Sequence, residues 1–280
     1  MAIPDQKRES WGIELASIWT NYRPPCRPSL SELWIYTKYL RKIQNLNPHR
    51  KANLLILGST AEFRDWGHEE GLNVTIIDFS VGYNETIVEQ MKYKKAQEAF
   101  VYESWQCMSF EDEFDIIVGD LVVGNLAEKE IPLFLANTSR ALKKGGYFIT
   151  KSFFRRESYS KKNLVDIFQE YLSGTQVTHS FPLLIYDITL SCMDYDANIL
   201  NFYSMYQSIC KLHIAGVIND SLFDQFSSLG WQNNMKFEFY IPTINKWESM
   251  IKQEENLKLS CVEYGLDPYS RDFPIYIIQK

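Results

Sequence analysis

The sequence predicts an α/β protein with a doubly wound, mostly parallel sheet, and three observations lead to this fold class. Four apolar runs at 54–57, 74–77, 115–118 and 146–150 alternate with stretches of helical spacing. Runs that are apolar without alternation are typical of strands buried on both faces of a parallel sheet. A long region of helical periodicity follows these runs, and the sequence then ends in two further strand-like segments.

The first element that the sequence predicts is a helix that begins near Ser29. Ser29 and Glu32 fit a capping box, in which the side chain of each residue binds the backbone N–H of the other. The segment 19–29 contains three prolines, which disfavour a helix and favour an extended arm. We therefore expect residues 1–50 to form an N-terminal arm and helix, in which the arm is either a structural strap or a lid over a ligand.

Residues 51–157 are expected to form the α/β core. Within them, the stretch 128–142 has helical spacing, and the Lys-Lys-Gly that follows it is typical of a helix end. The apolar run at 146–150 then predicts the next strand of the sheet.

Residues 158–243 are mostly helical in period, including the stretch around Ile199 and Phe202. We expect this region to be an inserted helical cap over the substrate. Residues 244–280 contain a predicted helix at 244–254 and two strand-like segments joined by a short loop. This ending predicts an antiparallel hairpin that completes the core.

Composition narrows the class of function. The net charge of −6 gives no general attraction to nucleic acid or to an anionic membrane, so we expect neither as a partner. The first ten residues are too polar for a signal peptide and no apolar run reaches the length of a membrane span, so we expect a cytoplasmic protein. The five cysteines and four histidines are widely spaced, which predicts no metal site.

The loop after the first predicted strand argues against several nucleotide-binding classes. A nicotinamide-dinucleotide site would have G-x-G-x-x-G here, but the chain has G-S-T-A-E-F. A P-loop would have Gly-Lys followed by Ser or Thr, and this is also missing. No G-x-S-x-G nucleophile elbow occurs in the chain, which argues against a hydrolase.

Four motifs, in order and at suitable spacing, resemble the class I S-adenosylmethionine-dependent methyltransferases: LLILGSTAEF, VTIIDFS, FEDEFDIIVGD and LKKGGYFITKSFF. The resemblance covers roughly residues 50–155 and 244–280. It implies a Rossmann-like sheet of seven strands whose last pair forms a C-terminal antiparallel hairpin. It also implies S-adenosyl-L-methionine as the cofactor and S-adenosyl-L-homocysteine as the product.

The turn after the first strand is the first candidate cofactor contact. Gly58 lacks the Cβ that would keep backbone amides away from a ligand, and Ser59 and Thr60 offer hydroxyl groups. The family usually has an acid two residues before this glycine, where this chain has Ile56. Glu62 either replaces that acid by holding the ammonium group of the cofactor, or only complements the helix dipole.

Two further loops are candidates for binding the adenosine. Asp78 ends the second strand and is expected to accept hydrogen bonds from both ribose hydroxyls, or else to cap the following helix. Phe79 offers an apolar face to the adenine. In the loop after the third strand, Glu103 or Ser104 is expected to contact the exocyclic amine, and Trp105 either stacks on the ring or fills the core.

Asp120, at the end of the fourth strand, is the leading candidate for the reacting end of the cofactor. It can hold the ammonium group, compensate the sulfonium charge or accept a proton from the acceptor. Tyr22 and His179 are candidate general bases by residue type alone. Arg27 on the arm is expected to bind the cofactor carboxylate, and Tyr22 to border the acceptor.

The acceptor is expected to be a small molecule or a short peptide that is methylated on nitrogen or oxygen. The basic stretch 151–162, which includes Arg156, suits an anionic substrate, whereas the stretch 186–206, which includes Tyr186, mixes acids with aromatics and suits a cation. The sequence leaves both possibilities open. A second hypothesis also remains, in which a methyltransferase-like domain is a non-catalytic binding or partner module.

Overall fold

The computed structural model describes residues 10–174, 180–234 and 238–280. Its strands, in chain order, are β1 (Asn53–Leu57), β2 (Asn73–Asp78), β3 (Ala99–Tyr102), β4 (Phe114–Asp120), β5 (Leu142–Lys151), β6 (Ile199–Asn201), β7 (Glu238–Tyr240), β8 (Lys258–Glu263) and β9 (Ile275–Gln279).

The helices, in chain order, are α1 (Ile13–Ile18), α2 (Leu30–Leu46), α3 (Ala61–Glu69), α4 (Val81–Val88), α5 (Ile131–Ala141), α6 (Leu164–Leu172), α7 (Phe181–Cys192), α8 (Phe202–Ile214), α9 (Asp220–Ser227), α10 (Trp231–Asn234) and α11 (Ile244–Gln253). None of these helices is both long and apolar enough to cross a membrane.

The main sheet has seven strands in the order β3-β2-β1-β4-β5-β9-β8. The first five strands pair in parallel, and β9 is antiparallel to both β5 and β8. The predicted doubly wound fold and its C-terminal hairpin are therefore confirmed. The order reverses between β1 and β4, which is the place where open α/β sheets bind their ligands.

The continuous apolar run of β1 follows from burial on both faces of the sheet. Leu54 and Ile56 belong to the hydrophobic cluster that includes α2 and α3, whereas Leu55 and Leu57 belong to the cluster that includes α5 and α11. All four side chains are buried. Successive residues of a strand point to opposite faces, so both sets of positions must be apolar.

The predicted capping box is present at the start of α2. The Ser29 hydroxyl accepts a hydrogen bond from Glu32 N at 3.3 Å, and the Glu32 carboxylate accepts one from Ser29 N at 2.8 Å. The predicted helix at 128–142 is also present: a 3-10 turn at Glu128–Glu130 leads into α5, which ends at Ala141, one residue before the predicted end. The residues after α5 continue directly as β5, because Leu142 already pairs with Phe114 of β4.

The region 158–243, which was predicted to be an inserted helical cap and is called the insertion below, differs from the prediction at Ile199. Instead of a helix, Ile199 lies in β6, which pairs with β7 in a small antiparallel sheet. The helix begins only after Asn201, whose side chain accepts a hydrogen bond from Ser204 N and caps α8. The insertion and the N-terminal arm share a third hydrophobic cluster, to which Leu15 and Phe226 belong.

Candidate functional site

A cavity of about 430 Å³ lies at the carboxyl ends of β1, β2 and β4. The N-terminal arm, described from residue 10 to 29, supplies part of its lining, and the insertion supplies another part. A set of mostly aromatic side chains from the insertion and the ends of nearby strands also lines it. We call this set the apolar wall: Phe153, Phe181, Ile185, Tyr186, Trp231, Phe239 and Phe273.

Gly58 shapes the turn between β1 and α3. Its backbone has a φ of +87°, a left-handed conformation that glycine adopts most readily. Trp105 packs against this turn, since a Cβ at position 58 would lie 3.5 Å from its ring. Gly58 N and Trp105 Nε1 both donate hydrogen bonds to Ile77 O, at 2.9 and 3.1 Å. Gly58, Ser59, Thr60 and Trp105 all line the cavity.

Asp78 lines the cavity at the end of β2 and is buried. Its carboxylate accepts hydrogen bonds from Ser59 Oγ at 2.8 Å and from Ser80 N at 3.0 Å. Burial raises the pKa of Asp78 to about 6, although these hydrogen bonds oppose the shift. The cap of α4 is Ser80, whose hydroxyl accepts from Tyr83 N, so Asp78 is not a simple helix cap. Phe79 also lines the cavity.

Asp120 lines the cavity at the end of β4, and its side chain is 6% exposed. Asp120 Oδ1 lies 3.3 Å from Lys151 Nζ, which also donates a hydrogen bond to Glu32 Oε2 at 2.8 Å. Lys151 and Glu32 are each only 1% exposed. Burial raises the pKa of Asp120 to about 7, while the nearby ammonium of Lys151 opposes this shift.

No direct signal in the sequence marked this group of three charges, which we call the buried triad (Glu32, Asp120 and Lys151). Lys151 is the cross-strand partner of Asp120, so the last residues of β4 and β5 lie side by side. In the sequence, Lys151 belonged to a basic stretch and Glu32 to a capping box. The sequence shows Lys151 as a polar residue at the end of an apolar strand and Glu32 as an acid in a capping position. Neither signal predicts that the two side chains meet.

Arg27 and Glu62 form an ion pair with each other, with 2.6 Å between Arg27 Nε and Glu62 Oε1. Neither residue lines the cavity. Arg27 also donates a hydrogen bond to Trp19 O, at 3.2 Å, and its own carbonyl accepts one from Lys151 Nζ at the same distance. These contacts attach the arm to α3 and to the end of β5.

Tyr22 lines the cavity and connects the arm to the insertion. Its hydroxyl donates a hydrogen bond to Leu229 O at 2.6 Å, and its ring stacks on Trp19 at 4.7 Å between centroids. Burial raises the pKa of Tyr22 well above its ordinary value, so the phenol stays protonated at neutral pH. His179, the other predicted base, lies outside the described residues.

The sequence analysis did not single out Trp11 and Tyr83, which also line the cavity. Their rings meet edge to face at 5.3 Å, and Trp11 lies 5.9 Å from Trp19. This cluster joins the residues on either side of α1 in the arm to α4 of the core.

The two stretches considered for substrate binding contact each other. Arg155, from the basic stretch, lies 4.4 Å above the ring of Tyr195, from the stretch of acids and aromatics. Arg156 pairs with Asp272 and does not line the cavity. Tyr186 does line it, and its ring packs 5.1 Å from Phe153. Glu103 and Ser104, which follow β3, do not line the cavity.

A metal site is not evident in the part of the chain that the structure describes. Within it, no group of three or more His, Cys, Asp or Glu side chains is arranged to hold a metal ion.

Several solved structures share this fold at low sequence identity. A Rhodobacter sphaeroides protein, provisionally described as a Zn-dependent alcohol dehydrogenase, matches with a TM-score of 0.65 and 15% identity, over 99% of this chain and 100% of that one. A Pyrococcus horikoshii protein matches with a TM-score of 0.52 and 13% identity, over 94% and 97%. A Methanosarcina mazei S-adenosylmethionine-dependent methyltransferase matches with a TM-score of 0.48 and 14% identity, over 88% and 96%.

No family model and no curated protein matches the sequence. The assignment of the fold therefore depends on the sheet order and on the first two of these structural matches, whose TM-scores exceed 0.5. The chain has the fold that its resemblance to the class I methyltransferases implied, and S-adenosylmethionine-dependent methyltransferases are among the solved structures similar to it over most of its length.

Proposed function

We propose that this protein is an S-adenosylmethionine-dependent methyltransferase that methylates nitrogen or oxygen of a small molecule or short peptide. The observation that carries the proposal is the position of two buried acids in one cavity. Asp78 ends β2 and Asp120 ends β4, and the left-handed turn at Gly58 follows β1, the strand that lies between these two. This is the switch point of the sheet, where such folds bind nucleotides.

The adenosine end of the cofactor fits the residues after β1, β2 and β3. Asp78 can accept hydrogen bonds from ribose hydroxyls, and its raised pKa falls when donors reach the carboxylate. Phe79 and Trp105 offer apolar surfaces to the base. The hydroxyls of Ser59 and Thr60 supply further polar contacts in the same turn.

The buried triad fits the charged end of the cofactor. Lys151 contributes one positive charge against the two carboxylates of Asp120 and Glu32, so the group gains from a further cation. When bound, S-adenosylmethionine supplies a positively charged sulfonium with a transferable methyl group. Asp120 would face that charge, which would lower its raised pKa and keep the carboxylate ionised, so that it could also take a proton from the acceptor.

The arm and the insertion would then close the site. We propose that residues 1–50 form a lid and residues 158–243 a substrate cap on the core formed by residues 51–157 and 244–280. Methyl transfer is an in-line displacement, so its rate depends mainly on aligning the acceptor and on excluding water. Tyr22 belongs to the lid and borders the acceptor, and Arg27 and Glu62 attach the lid to α3.

Calorimetry with three ligands tests the proposal. We expect both S-adenosylmethionine and S-adenosylhomocysteine to bind, and NAD to bind much more weakly. The absence of heat with both sulfur ligands, or tighter binding of NAD, would overturn the proposal.

A second measurement separates an enzyme from a binding module. The purified protein is incubated with a metabolite extract and with S-adenosylmethionine labelled on its methyl group. A labelled product that requires the protein supports catalysis. Cofactor binding without any transfer would instead favour the non-catalytic binding module.

A further inference from the structure

The residue that follows Asp120 has an unusual backbone conformation for its type. Leu121 has a φ of +53°, which lies in the left-handed region. Among the residues that the structure describes, the other non-glycine residues with a positive φ are Asp112 and Asn198. Asp and Asn adopt this conformation more readily than other residues, whereas a bulky apolar side chain makes it costly. The chain therefore carries backbone strain at Leu121, directly after the strand end that lines the cavity.

Hydrogen bonds on both sides hold Leu121 in this conformation. Its backbone N–H donates to Lys151 O at 2.9 Å, and its carbonyl accepts from Asn125 Nδ2 at 3.1 Å. The loop is also closely packed, because a Cβ added at Gly124 would lie 1.9 Å from the ring of Phe239. The surroundings thus fix the strained conformation, and residues that are held in this way cluster at functional sites.

The left-handed backbone changes where the side chain of Leu121 lies. Successive residues of an extended strand point to opposite faces. Asp120 and Leu121 are consecutive, yet both line the cavity, and the next residue, Val122, is buried in the cluster that includes α5 and α11. The side chain of Leu121 is half-buried and packs against the cluster to which the apolar wall belongs. Leu121 is therefore a point at which the end of β4 meets the apolar wall.

This position is the one that an acceptor would have to pass or contact. In the proposed function the methyl group is transferred beside Asp120, and the rest of the acceptor lies against the apolar wall. Leu121 adjoins both of these places. Its side chain has no polar atom, so it can act on an acceptor only through contact and shape. The branched side chain therefore restricts the space that is open to the acceptor close to its reacting atom.

We propose that Leu121 determines which acceptors this protein admits, a role that rests on the proposed function. Its isobutyl side chain occupies the space between Asp120 and the apolar wall, and it limits the width of the acceptor near the atom that is methylated. Acceptors that are slim at that point fit, and acceptors that are branched there are excluded. A smaller side chain at position 121 would admit the branched ones.

Calorimetry with two matched probes of the cavity tests this. The protein is loaded with S-adenosylhomocysteine and then titrated with benzene or with isobutylbenzene, whose isobutyl group has the same carbon skeleton as the leucine side chain. Removal of that side chain should leave a space that isobutylbenzene fills and benzene does not. We therefore expect the affinity for isobutylbenzene relative to benzene to be about tenfold higher in Leu121→Ala and Leu121→Gly than in the wild-type protein.

The two variants also separate the side chain from the backbone. Both remove the isobutyl group, but only glycine adopts the left-handed conformation freely, so Leu121→Gly should melt about 2–4 °C above Leu121→Ala. Asp112→Ala and Asp112→Gly are the controls, because Asp112 has a φ of +48°, is exposed and does not line the cavity. The controls should repeat the difference in melting temperature and leave the relative affinity for the two probes unchanged.

An unchanged relative affinity in both Leu121 variants would overturn the proposal, and so would failure of both probes to bind any of these proteins. Incubation with a metabolite extract and methyl-labelled cofactor gives a second readout, in which the Leu121 variants should label bulkier products than the wild-type protein. Failure of S-adenosylhomocysteine to bind the wild-type protein would instead contradict the proposed function. In that case the same two probes on the ligand-free proteins still decide whether Leu121 limits the space in the cavity.

Discussion

At the level of single residues, Lys151 sets the charge at the end of the cavity where β4 ends. Its ammonium group contacts Glu32 and Asp120, so at most one of the two carboxylates is neutralised. Glu62 adds another negative charge near Asp120. Burial therefore keeps Asp120 partly protonated near neutral pH, and a bound cation should favour its ionised form.

This predicts a pH-dependent preference for the methylated cofactor. S-adenosylmethionine carries a sulfonium charge that S-adenosylhomocysteine lacks, and the two share their other groups. Because the pKa of Asp120 is raised to about 7, the carboxylate gains charge as the pH rises through that value. Calorimetry should show the ratio of the two affinities increasing about tenfold between about pH 6 and about pH 8.

Asp120→Asn provides the control for this prediction. The variant should bind both ligands with a ratio that does not change with pH. Asp78 also titrates in this range, but it would contact the ribose of both ligands and therefore cancels in the ratio. A pH dependence that persists in Asp120→Asn would assign the effect to another group.

Removal of the Asp78 carboxylate should weaken binding of S-adenosylmethionine and S-adenosylhomocysteine alike, and should leave the ratio of the two affinities unchanged. Asp78→Ala should weaken S-adenosylhomocysteine binding by about 1–3 kcal/mol, because the ribose hydroxyls would then face a cavity without that acceptor. Asp196→Ala removes an exposed carboxylate and is the matched control. Calorimetry measures both, and unchanged affinity in a folded Asp78→Ala variant would place the ribose elsewhere.

At the level of secondary-structure elements, the turn between β1 and α3 needs a left-handed backbone conformation at Gly58, and the same turn would contact the proposed cofactor. Gly58→Ala should destabilise the protein by about 1–2 kcal/mol, because alanine resists the left-handed conformation. The added Cβ makes only ordinary contact with Trp105. The backbone of the turn should shift to accommodate alanine, and we therefore also expect weaker binding of S-adenosylhomocysteine.

Gly145→Ala separates these two effects. Gly145 has a φ of +80° in β5, a Cβ added there would meet nothing within 4 Å, and the residue does not line the cavity. Thermal denaturation should show a similar loss of stability in both variants, whereas calorimetry should show reduced affinity only for Gly58→Ala. Equal affinity in both would remove the turn from the cofactor site.

The buried triad joins β4, β5 and α2, so its loss should affect folding. Lys151→Met leaves two buried carboxylates without their cation and should cost about 3–5 kcal/mol in chemical denaturation. Adding Glu32→Gln should recover part of this loss, because one uncompensated charge is removed. Lys38→Met breaks a more exposed pair with Glu263 and should cost no more than about 1 kcal/mol.

At the level of the whole molecule, the arm and the insertion are held together across the cavity by few polar contacts. Tyr22→Phe removes the hydrogen bond to Leu229 O, which is buried. We expect faster cleavage of residues 10–29 by thermolysin in the ligand-free variant, and protection when S-adenosylhomocysteine is added. Tyr203→Phe, at a residue 39% exposed, is the control.

Cleavage of Tyr22→Phe at the wild-type rate would mean that this hydrogen bond does not hold the arm. Cleavage that the ligand does not slow would mean that the arm is a structural strap rather than a lid. Trypsin is less suitable for this experiment, because Pro24 and Pro28 follow the two arginines of the segment.

Much of the fold could be predicted because its signals are local. The buried strands appear as apolar runs, and the capping box at Ser29 lies within four residues. The ends of β2 and β4 marked Asp78 and Asp120, since parallel strands bring their carboxyl ends to one edge. The end of α5 was predicted to within one residue, but the start of β5 at Leu142 was not predicted, because pairing of Leu142 with Phe114 depends on a distant strand.

The remaining parts of the site depend on contacts between distant segments. Lys151 and Glu32 are 119 positions apart, and Tyr22 and Leu229 are 207 positions apart. Hydrophobic periodicity reports which face of an element is buried, but not which element covers it. The apolar wall was therefore visible only as an excess of aromatic residues, and the pairing of Arg27 with Glu62 was not visible at all.

The hydrophobic cluster that the insertion shares with the arm and with core residues such as Tyr83 has a consequence for how this protein can change. Phe226 and Leu190 pack in a cluster distinct from the two that support the sheet. Substitutions at Phe181 or Ile185 can therefore alter the shape of the cavity while β1, β2 and β4 keep their positions. Selection for a new acceptor, in nature or in the laboratory, has a route through the insertion that leaves the strand-end residues unchanged.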